Sequence, residues 1–204
     1  MRLVIAVSMA LLALATGAAA QSSSDPKQAP TGNYSLDPRH SLIVFAIPHL
    51  GITDYYGRFE KLSGSLNYNS GEPEKSSVTV SIDMTSVNTP SHELTGELMT
   101  ASAFDTAKFP GATFKSTSVT RTGPNTGKIT GDLTLHGVTK PVTLDATFGG
   151  VVADPFSGAD DIGFHATATI KRTDFGITGM AWESMVGDDV KLTIEAMFQH
   201  QKGK

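Results

Sequence analysis

The sequence feature that most constrains the fold is a run of alternating apolar and polar residues over 131–144. Leu133 and Leu135 alternate with polar neighbours, and Val142 and Leu144 do the same after an intervening glycine. Alternation with a period of two is typical of a strand that buries one face. Glycine readily takes the positive φ that a tight turn needs. The stretch therefore predicts an antiparallel hairpin with one apolar face and one polar face.

Similar patterns along the chain predict an all-β fold. Asp37-Pro38 divides the segment before Pro48 into two pieces. Counting these two pieces as one strand, we expect eight strands. They cover residues 33–48, 56–69, 77–83, 112–122, 126–136, 138–152, 161–172 and 188–200. Short strands between regular turn signals are typical of a sandwich or a barrel. A change of phase near Glu60-Lys61 predicts a β-bulge, and the one expected helix begins at Ser91 and runs to about Ala103.

The inward faces bear on whether the interior is hollow or filled. Several inward positions carry very small residues: Gly64, Gly131, Ala146, Ala166, Ala168 and Ala196. A filled core favours larger aliphatic residues, and no second set of strands offers the bulky face that a sandwich needs. An eight-stranded barrel is about large enough to hold one small ligand. The alternative that Phe114, Phe148 and Phe164 fill the space above the alanines stays open.

The N-terminus has the composition of a secretory signal peptide. Arg2 precedes an apolar run, and a small-residue cleavage site ends at Ala20. The run is shorter than the roughly 18 residues that a membrane-spanning helix needs. We therefore expect a periplasmic or secreted protein. The expected organisation is a signal peptide over 1–20, a disordered linker over 21–31, a barrel domain over 32–200 and a C-terminal tail over 201–204.

The composition excludes several classes of function. The chain has no cysteine, which excludes thiol chemistry, zinc–thiolate sites and iron–sulfur clusters. Its formal net charge is −4, with both signs mixed along the chain, whereas nucleic-acid-binding surfaces are basic. No basic cluster suits an anionic membrane surface. A chain without disulfides must be stabilised by its apolar core, and this one is long enough to form one.

The polar residues form no recognisable catalytic motif. Residues 92–96 begin like the HExxH zinc motif, but Gly96 stands where the second histidine belongs. A nucleophile elbow of the G-x-S-x-G type is absent. Three histidines fall on outward positions or turns and are interpreted as surface groups: His136, His165 and His200. The acidic pairs Asp160-Asp161 and Asp188-Asp189 allow a calcium site, although each is more simply a solvated turn.

Nine short segments follow one another in a specific order over about residues 32–200. They are YSLDPRHS (34–41), GRF (57–59), LSG (62–64), SVNT (86–89), FD (104–105), FPGATF (109–114), GDLTLHGVTKPV (131–142), RTDFGI (172–177) and VGDDV (186–190). Each segment alone is a weak signal, but the ordered set is specific. In these segments the chain resembles the YceI-like family of polyisoprenoid-binding proteins.

The resemblance implies a fold and a ligand. The fold is an extended, lipocalin-like eight-stranded antiparallel β-barrel. Its lumen would hold a long isoprenoid or a similar amphiphile, such as a polyprenyl phosphate or a quinone-type lipid. The resemblance also implies a periplasmic location and a cytochrome b561-like membrane protein as a candidate partner. It supplies no catalytic constellation and no cofactor, and it leaves the oligomeric state open, with a homodimer as one option.

On this hypothesis the lipid tail contacts inward residues of the barrel and of one loop. These ligand-binding residues are Phe45, Ile47, Val80, Ile82, Phe114, Leu133, Leu144, Phe148, Phe164, Ala166, Ala168, Phe175, Trp182, Met185, Leu192 and Ile194. The loop over 173–187 would cover one end of the barrel, where Met180 offers an adaptable apolar contact. Alternatively, Phe175 and Trp182 plug the barrel as ordinary core residues.

The leading interpretation is a binding protein, without catalytic activity, that transports, stores or sequesters the lipid. One alternative is an enzyme that acts on such a lipid, which needs a polar pair at the mouth, such as His40 or His49 with Asp37. Another is an interaction module whose barrel is filled and whose outer face binds a partner.

Overall fold

In the computed structural model, which describes residues 22–201, eleven strands form one antiparallel sheet. The strands are β1 (Gly32–Leu36), β2 (Leu42–His49), β3 (Thr53–Phe59), β4 (Leu62–Tyr68), β5 (Ser77–Asp83), β6 (Val87–Asn88), β7 (Gly111–Arg121), β8 (Thr126–Leu135), β9 (Val138–Ala153), β10 (Asp160–Lys171) and β11 (Asp189–His200). One α-helix in this part of the chain, α1 (His92–Met99), lies between β6 and β7. The signal peptide expected over 1–20 lies outside the described residues.

Eight of these strands close into a barrel. Their order is β1, β4, β5, β7, β8, β9, β10, β11, and β11 pairs back to β1. The central part of β11 pairs with β2, which in turn pairs with β3. The predicted eight-stranded antiparallel barrel is therefore confirmed. The first two predicted strands are each divided into two pieces, β1 with β2 and β3 with β4.

A two-residue interruption separates β3 from β4 at the position where the sequence predicts a bulge. The backbone amides of Glu60 and Lys61 both donate to the Oγ of Ser86, at 3.1 and 3.0 Å. Phe59 and Leu62, on either side, are both buried. The interruption lets residues at a spacing of three point to the same interior, which strict alternation would forbid.

The predicted hairpin is formed by β8 and β9. Leu135 pairs with Val138, and the two turn residues His136 and Gly137 have φ angles of 51° and 76°. Two successive positive φ angles are typical of a type I′ turn, whose twist matches that of the strands. A Cβ atom at Gly137 would lie 2.6 Å from the ring of Phe109. Glycine is therefore needed at this position for both backbone conformation and space.

The segment that the sequence predicts to be a disordered linker has a definite course where it is described, over 22–31. Ser23 exchanges two backbone hydrogen bonds with Val151, at 2.9 and 2.8 Å. The hydroxyl of the buried Tyr68 donates to the carbonyl of Pro26 at 3.0 Å. These contacts use mostly backbone atoms, so the polar composition gave no sign of them. The segment lies against one end of the barrel.

Helix α1 begins where predicted but ends earlier. The Oγ of Ser91 accepts a hydrogen bond from the amide of Leu94, which caps the helix. The helix stops at Met99 rather than near Ala103, because Thr100 has an extended backbone and its hydroxyl donates to the carbonyl of Glu97 at 2.7 Å. No helix within residues 22–201 is long and apolar enough to cross a membrane.

Ser86→Ala should destabilise the barrel, because it removes the side-chain oxygen that accepts from two part-buried backbone amides, of which only the Glu60 amide keeps a longer bond, of 3.4 Å, to the Ser86 carbonyl. We expect a loss of about 1–3 kcal/mol in the free energy of unfolding, measured as a lower urea midpoint with an unchanged slope. Ser81→Ala, at an exposed position of β5, is the matched control and should change stability by less than about 0.5 kcal/mol. Equal effects of the two substitutions would contradict this role of Ser86.

Candidate functional site

An apolar cavity of about 520 Å³ lies inside the barrel. All eight barrel strands contribute to its wall, together with β2, β3 and α1. Its volume is within the range of roughly 300–1,000 Å³ that is common for small-molecule sites. The alternative in which aromatic residues fill the interior does not describe this barrel.

The cavity extends between the two ends of the barrel. At the cap end, α1 and the cap segment (residues 173–187) cover the opening, and Glu97 and Trp182 line the cavity. At the far end, the turns over 69–76 and 122–125 meet the N-terminal segment, and Pro26 and Asn125 line it. An interior of this shape suits a long, thin ligand rather than a compact one.

Large and small side chains are segregated along the cavity wall. Aromatic rings form one group near the cap end and one near the far end, with centroid separations of 5.5–6.4 Å between neighbouring rings. The groups are Phe45, Phe59 and Phe104, and Tyr68, Phe148, Phe164 and Phe198. Ala146 and Ala166 face each other across β9 and β10. Methyl groups at these positions leave the middle of the cavity open.

The structure places most of the predicted ligand-binding residues on the cavity wall. All of them line the cavity except Ala168 and Phe175. Ala168 lies opposite Leu192 on β11 and packs against the core without reaching the cavity. Phe175 is 1% exposed and belongs to the packed core. Phe175 therefore lies in the packed core, as in the alternative interpretation, whereas Trp182 lines the cavity.

Two inward glycines were expected to leave open space, and the structure corrects that expectation. A Cβ atom at Gly131 would lie 2.5 Å from the ring of Phe114. At Gly64 it would lie 2.5 Å from a backbone oxygen of β5. A third glycine, Gly57, is covered in the same way by the ring of Phe45. These glycines do not create voids; they let neighbouring groups lie flat against the wall.

Hydrogen bonds attach the cap segment to the rest of the barrel. The Nε1 of Trp182 donates to the Oε2 of Glu97 on α1 at 2.8 Å. The Nδ1 of His136, in the β8–β9 turn, lies 3.0 Å from the carbonyl oxygen of Phe175, to which it donates. His136, interpreted from sequence as a surface group, is half-buried. The β8–β9 hairpin therefore helps to position the cap segment.

Arg172 is the residue at this site that sequence reasoning missed. It directly precedes the cap segment, is buried with 7% of its surface exposed, and lines the cavity. Its Nε donates to the carbonyl of Gly187 at 3.1 Å, and its Nη1 donates to the carbonyl of Ile177 at 2.8 Å and to Glu183 at 3.1 Å. The alternation of β10, extended by one step past Ile170, would have placed Arg172 on the inward face.

The polar pair considered for catalysis lies outside the cavity. His40 contacts the carboxylate of Asp37 at 2.9 Å, but neither residue lines the cavity. Burial alone would raise the pKa of Asp37, yet hydrogen bonds from Arg39 and His40 override it and lower that pKa to about 2. His49 does line the cavity, but no contact joins it to Asp37 in the described structure.

Of the two acidic pairs, Asp188-Asp189 has structural partners. Asp188 accepts hydrogen bonds from the amide and hydroxyl of Thr173, at 3.1 and 3.0 Å, and Asp189 lies 2.7 Å from Lys171. Burial raises the pKa of Asp161, whose Oδ1 is buried without a partner. Over residues 22–201, no group of three or more histidine or acidic side chains is arranged to hold a metal ion.

A closed antiparallel barrel around an elongated apolar cavity defines the lipocalin-like class of β-barrels. Within that class the assignment is specific. The YceI-like domain matches residues 34–198, and the chain belongs to this family.

Two relatives show how far the sequence similarity extends. A UPF0312 protein of Pseudomonas putida is 38% identical over 189 residues, which is 92% of this chain and 96% of the relative. A UPF0312 protein of Ectopseudomonas mendocina is 40% identical over 177 residues, covering 84% and 91% of the two chains. The similarity therefore covers nearly the whole of these relatives.

Solved structures share the fold. A YCEI protein of Campylobacter jejuni has a TM-score of 0.67 and 32% identity, and the match covers 76% of this chain and 91% of that one. Burkholderia cenocepacia BcnA has a TM-score of 0.71 at 23% identity, covering 79% and 98%. A polyisoprenoid binding domain from Saccharophagus degradans has a TM-score of 0.62 at 20% identity, covering 82% and 98%. The last two matches bear on the fold alone.

Trp182→Phe should loosen the cap segment, because it removes the hydrogen bond to Glu97. We expect amide hydrogen exchange over 173–187 to become roughly two- to tenfold faster, the effect of losing one such bond. Glu97→Gln keeps an acceptor oxygen and serves as the conservative control, with a smaller change. Unchanged exchange in Trp182→Phe would show that this bond does not hold the cap.

Proposed function

We propose that the protein binds a long isoprenoid or related amphiphilic lipid in the barrel cavity. The observation that carries this proposal is the elongated apolar cavity, walled by all eight strands and bordered by polar residues at both ends. Burial of apolar surface contributes about 25 cal/mol per Å², so a hydrocarbon tail gains free energy along the whole wall. An apolar cavity also offers water few hydrogen-bond partners.

The family relationship supports the same class of ligand. The Saccharophagus degradans domain that shares this fold is a polyisoprenoid binding domain. Membership of the YceI-like family supports a role in binding. The pair Asp37 and His40, which was considered for catalysis, lies away from the cavity. A branched polyene tail is thin, long and fully apolar, which fits an interior of this shape.

The biological setting extends the proposal. The signal-peptide features of residues 1–20 predict export, so we place the mature protein in the periplasm or outside the cell. There it would transport, store or sequester a lipid that has very low solubility in water. A cytochrome b561-like membrane partner and a homodimeric state both stay predictions.

Ala166→Phe should block the tail while leaving the barrel folded. Ala166 is buried on the cavity wall opposite Ala146, so a phenyl ring there projects into the middle of the cavity. We expect the amount of co-purifying lipid to fall by about tenfold, corresponding to roughly 1.4 kcal/mol of lost binding. Circular dichroism reports whether the fold is kept.

The adjacent position supplies the matched control. Thr167 is exposed on the outer face of β10, so Thr167→Phe adds the same ring without entering the cavity and should retain lipid. Ala168→Phe should have a smaller effect than Ala166→Phe, because Ala168 lies outside the cavity wall. Undiminished lipid in Ala166→Phe would mean that the cavity is not the binding site.

Identification of the ligand is the direct test of the function. The protein is purified without detergent, extracted with organic solvent and examined by mass spectrometry. An isoprenoid lipid near one equivalent per chain is the expected result. An extract without any amphiphile, together with no binding of added isoprenoids, would refute the proposed function.

A further inference from the structure

Arg172 stands apart from the other charged residues along the cavity. It is buried, with 7% of its surface exposed. Lys27, Glu97 and Arg121 also line the cavity, but each of them is exposed. A charge placed at an apolar wall is unfavourable unless partners satisfy it. The N–H groups of Arg172 that lack a protein acceptor therefore indicate which further group this position can bind.

The hydrogen bonds of Arg172 leave one nitrogen unused. A guanidinium offers five N–H donors. The Nε donates to Gly187, and the two hydrogens of Nη1 are directed to Ile177 and Glu183. Among the described residues, no acceptor takes a hydrogen bond from Nη2. Two donors of a buried cation therefore remain without a protein partner beside the cavity.

The charge of Arg172 is also only partly compensated. Within the described part of the chain its one ion pair, with Glu183, has a single contact of 3.1 Å through Nη1 rather than the bidentate geometry that arginine and carboxylate can adopt. The Glu183 side chain is 34% exposed, so solvent screens it. The ion pair with Glu183 therefore leaves the Nη2 donors of Arg172 available at the cap end of the cavity.

We propose that Arg172 binds the anionic head group of the amphiphile, with a phosphate monoester as the best chemical fit, so that the head lies at the cap end and the tail runs toward the far end. This inference rests on the proposed lipid-binding function and specifies its ligand class and orientation. A phosphate oxygen takes the two hydrogens of Nη2 without displacing the bonds that hold the cap segment.

The chemistry distinguishes a phosphate head from a neutral one. Charge-assisted hydrogen bonds between guanidinium and phosphate are roughly twice as strong as neutral ones. A surrounding apolar wall strengthens them further, because it lowers the effective dielectric constant. An alcohol head offers one neutral acceptor oxygen and leaves the charge of Arg172 uncompensated. The site should therefore favour a phosphate over the alcohol that carries the same tail.

Among residues 22–201, the far end offers no comparable site. Arg121 is exposed, and its Nε and Nη2 already donate to the carbonyls of Gly123 and Pro124, at 2.8 and 3.0 Å. Lys27 is exposed as well. Ion pairs at exposed positions contribute little because water screens them. The two ends therefore differ enough to orient an amphiphile.

The test compares two ligands with identical tails, geranylgeranyl monophosphate and geranylgeraniol. Trp182, the only tryptophan of the chain, lines the cavity, so its fluorescence reports binding of both. The measured quantity is the ratio of the two dissociation constants for lipid-free protein at pH 8, where the phosphate is fully ionised. We expect the wild-type protein to bind the phosphate about tenfold more tightly than the alcohol.

Two substitutions should change this ratio in opposite directions. Arg172→Gln should bring it close to one by weakening phosphate binding, while affinity for the alcohol is kept, which shows that the cavity is intact. Glu183→Gln removes the competing carboxylate and keeps Arg172, so it should raise the ratio. A merely structural role of Arg172 would weaken both ligands equally. If Arg172→Gln does not fold, the direction of the Glu183→Gln effect decides the question.

Other outcomes overturn the inference in distinguishable ways. A ratio near one in the wild type, or a ratio unchanged by Arg172→Gln or lowered by Glu183→Gln, removes the role of Arg172 and leaves lipid binding intact. Loss of the preference in Arg121→Gln would place the head at the far end. Arg58→Gln, an exposed arginine outside the cavity, is the neutral control. Binding of neither ligand would refute the proposed function itself.

Discussion

The structure depends on the closure of one sheet by its shortest barrel strand. β1 pairs with β4 through Tyr34 and Leu66, and with β11 through Leu36 and Phe198. Once closed, an eight-stranded barrel has only its inner face on which to build a core, and its bore follows from the number and tilt of the strands. The inner side chains either meet across that bore or leave a cavity. Here the neighbouring alanines Ala146 and Ala166, paired across β9 and β10, leave space in that bore.

Alternation along the strands predicted the strands, the hairpin, the interruption at Glu60-Lys61 and most of the cavity wall, because a period of two directly encodes which side chains face inward. The choice of a hollow barrel over a filled one came from the family resemblance. The cap was harder to predict. Its attachments join residues far apart in the chain, such as Trp182 and Glu97, or use backbone carbonyls. Sequence patterns within one strand contain no record of such contacts. The same reason explains the misjudged linker, which is held by backbone pairing with Val151.

Arg172 links the organisation of the cap to the interior of the barrel. The same guanidinium contacts the carbonyls of Ile177 and Gly187, the side chain of Glu183 and the cavity. The alternation of side chains along β10 directs Arg172 toward the interior, and the cap segment supplies the acceptors of its hydrogen bonds. A buried cation that is held by main-chain oxygens is rigidly positioned, because those oxygens move only if the loop moves. The cap segment and the one buried charge among the described residues of the cavity wall are thus one structural unit.

The glycines that face aromatic rings influence the width of the cavity. Where Phe45 lies on Gly57 and Phe114 lies on Gly131, the ring occupies the thickness that a side chain would have used. Any larger residue at position 57 must push the ring of Phe45 toward the axis, whereas at position 131 a side chain would also meet the backbone of Lys115. These glycines therefore influence the width of the cavity without contacting the lipid tail themselves. A relative with a larger residue in place of Gly57 should therefore admit only a narrower tail on the same backbone.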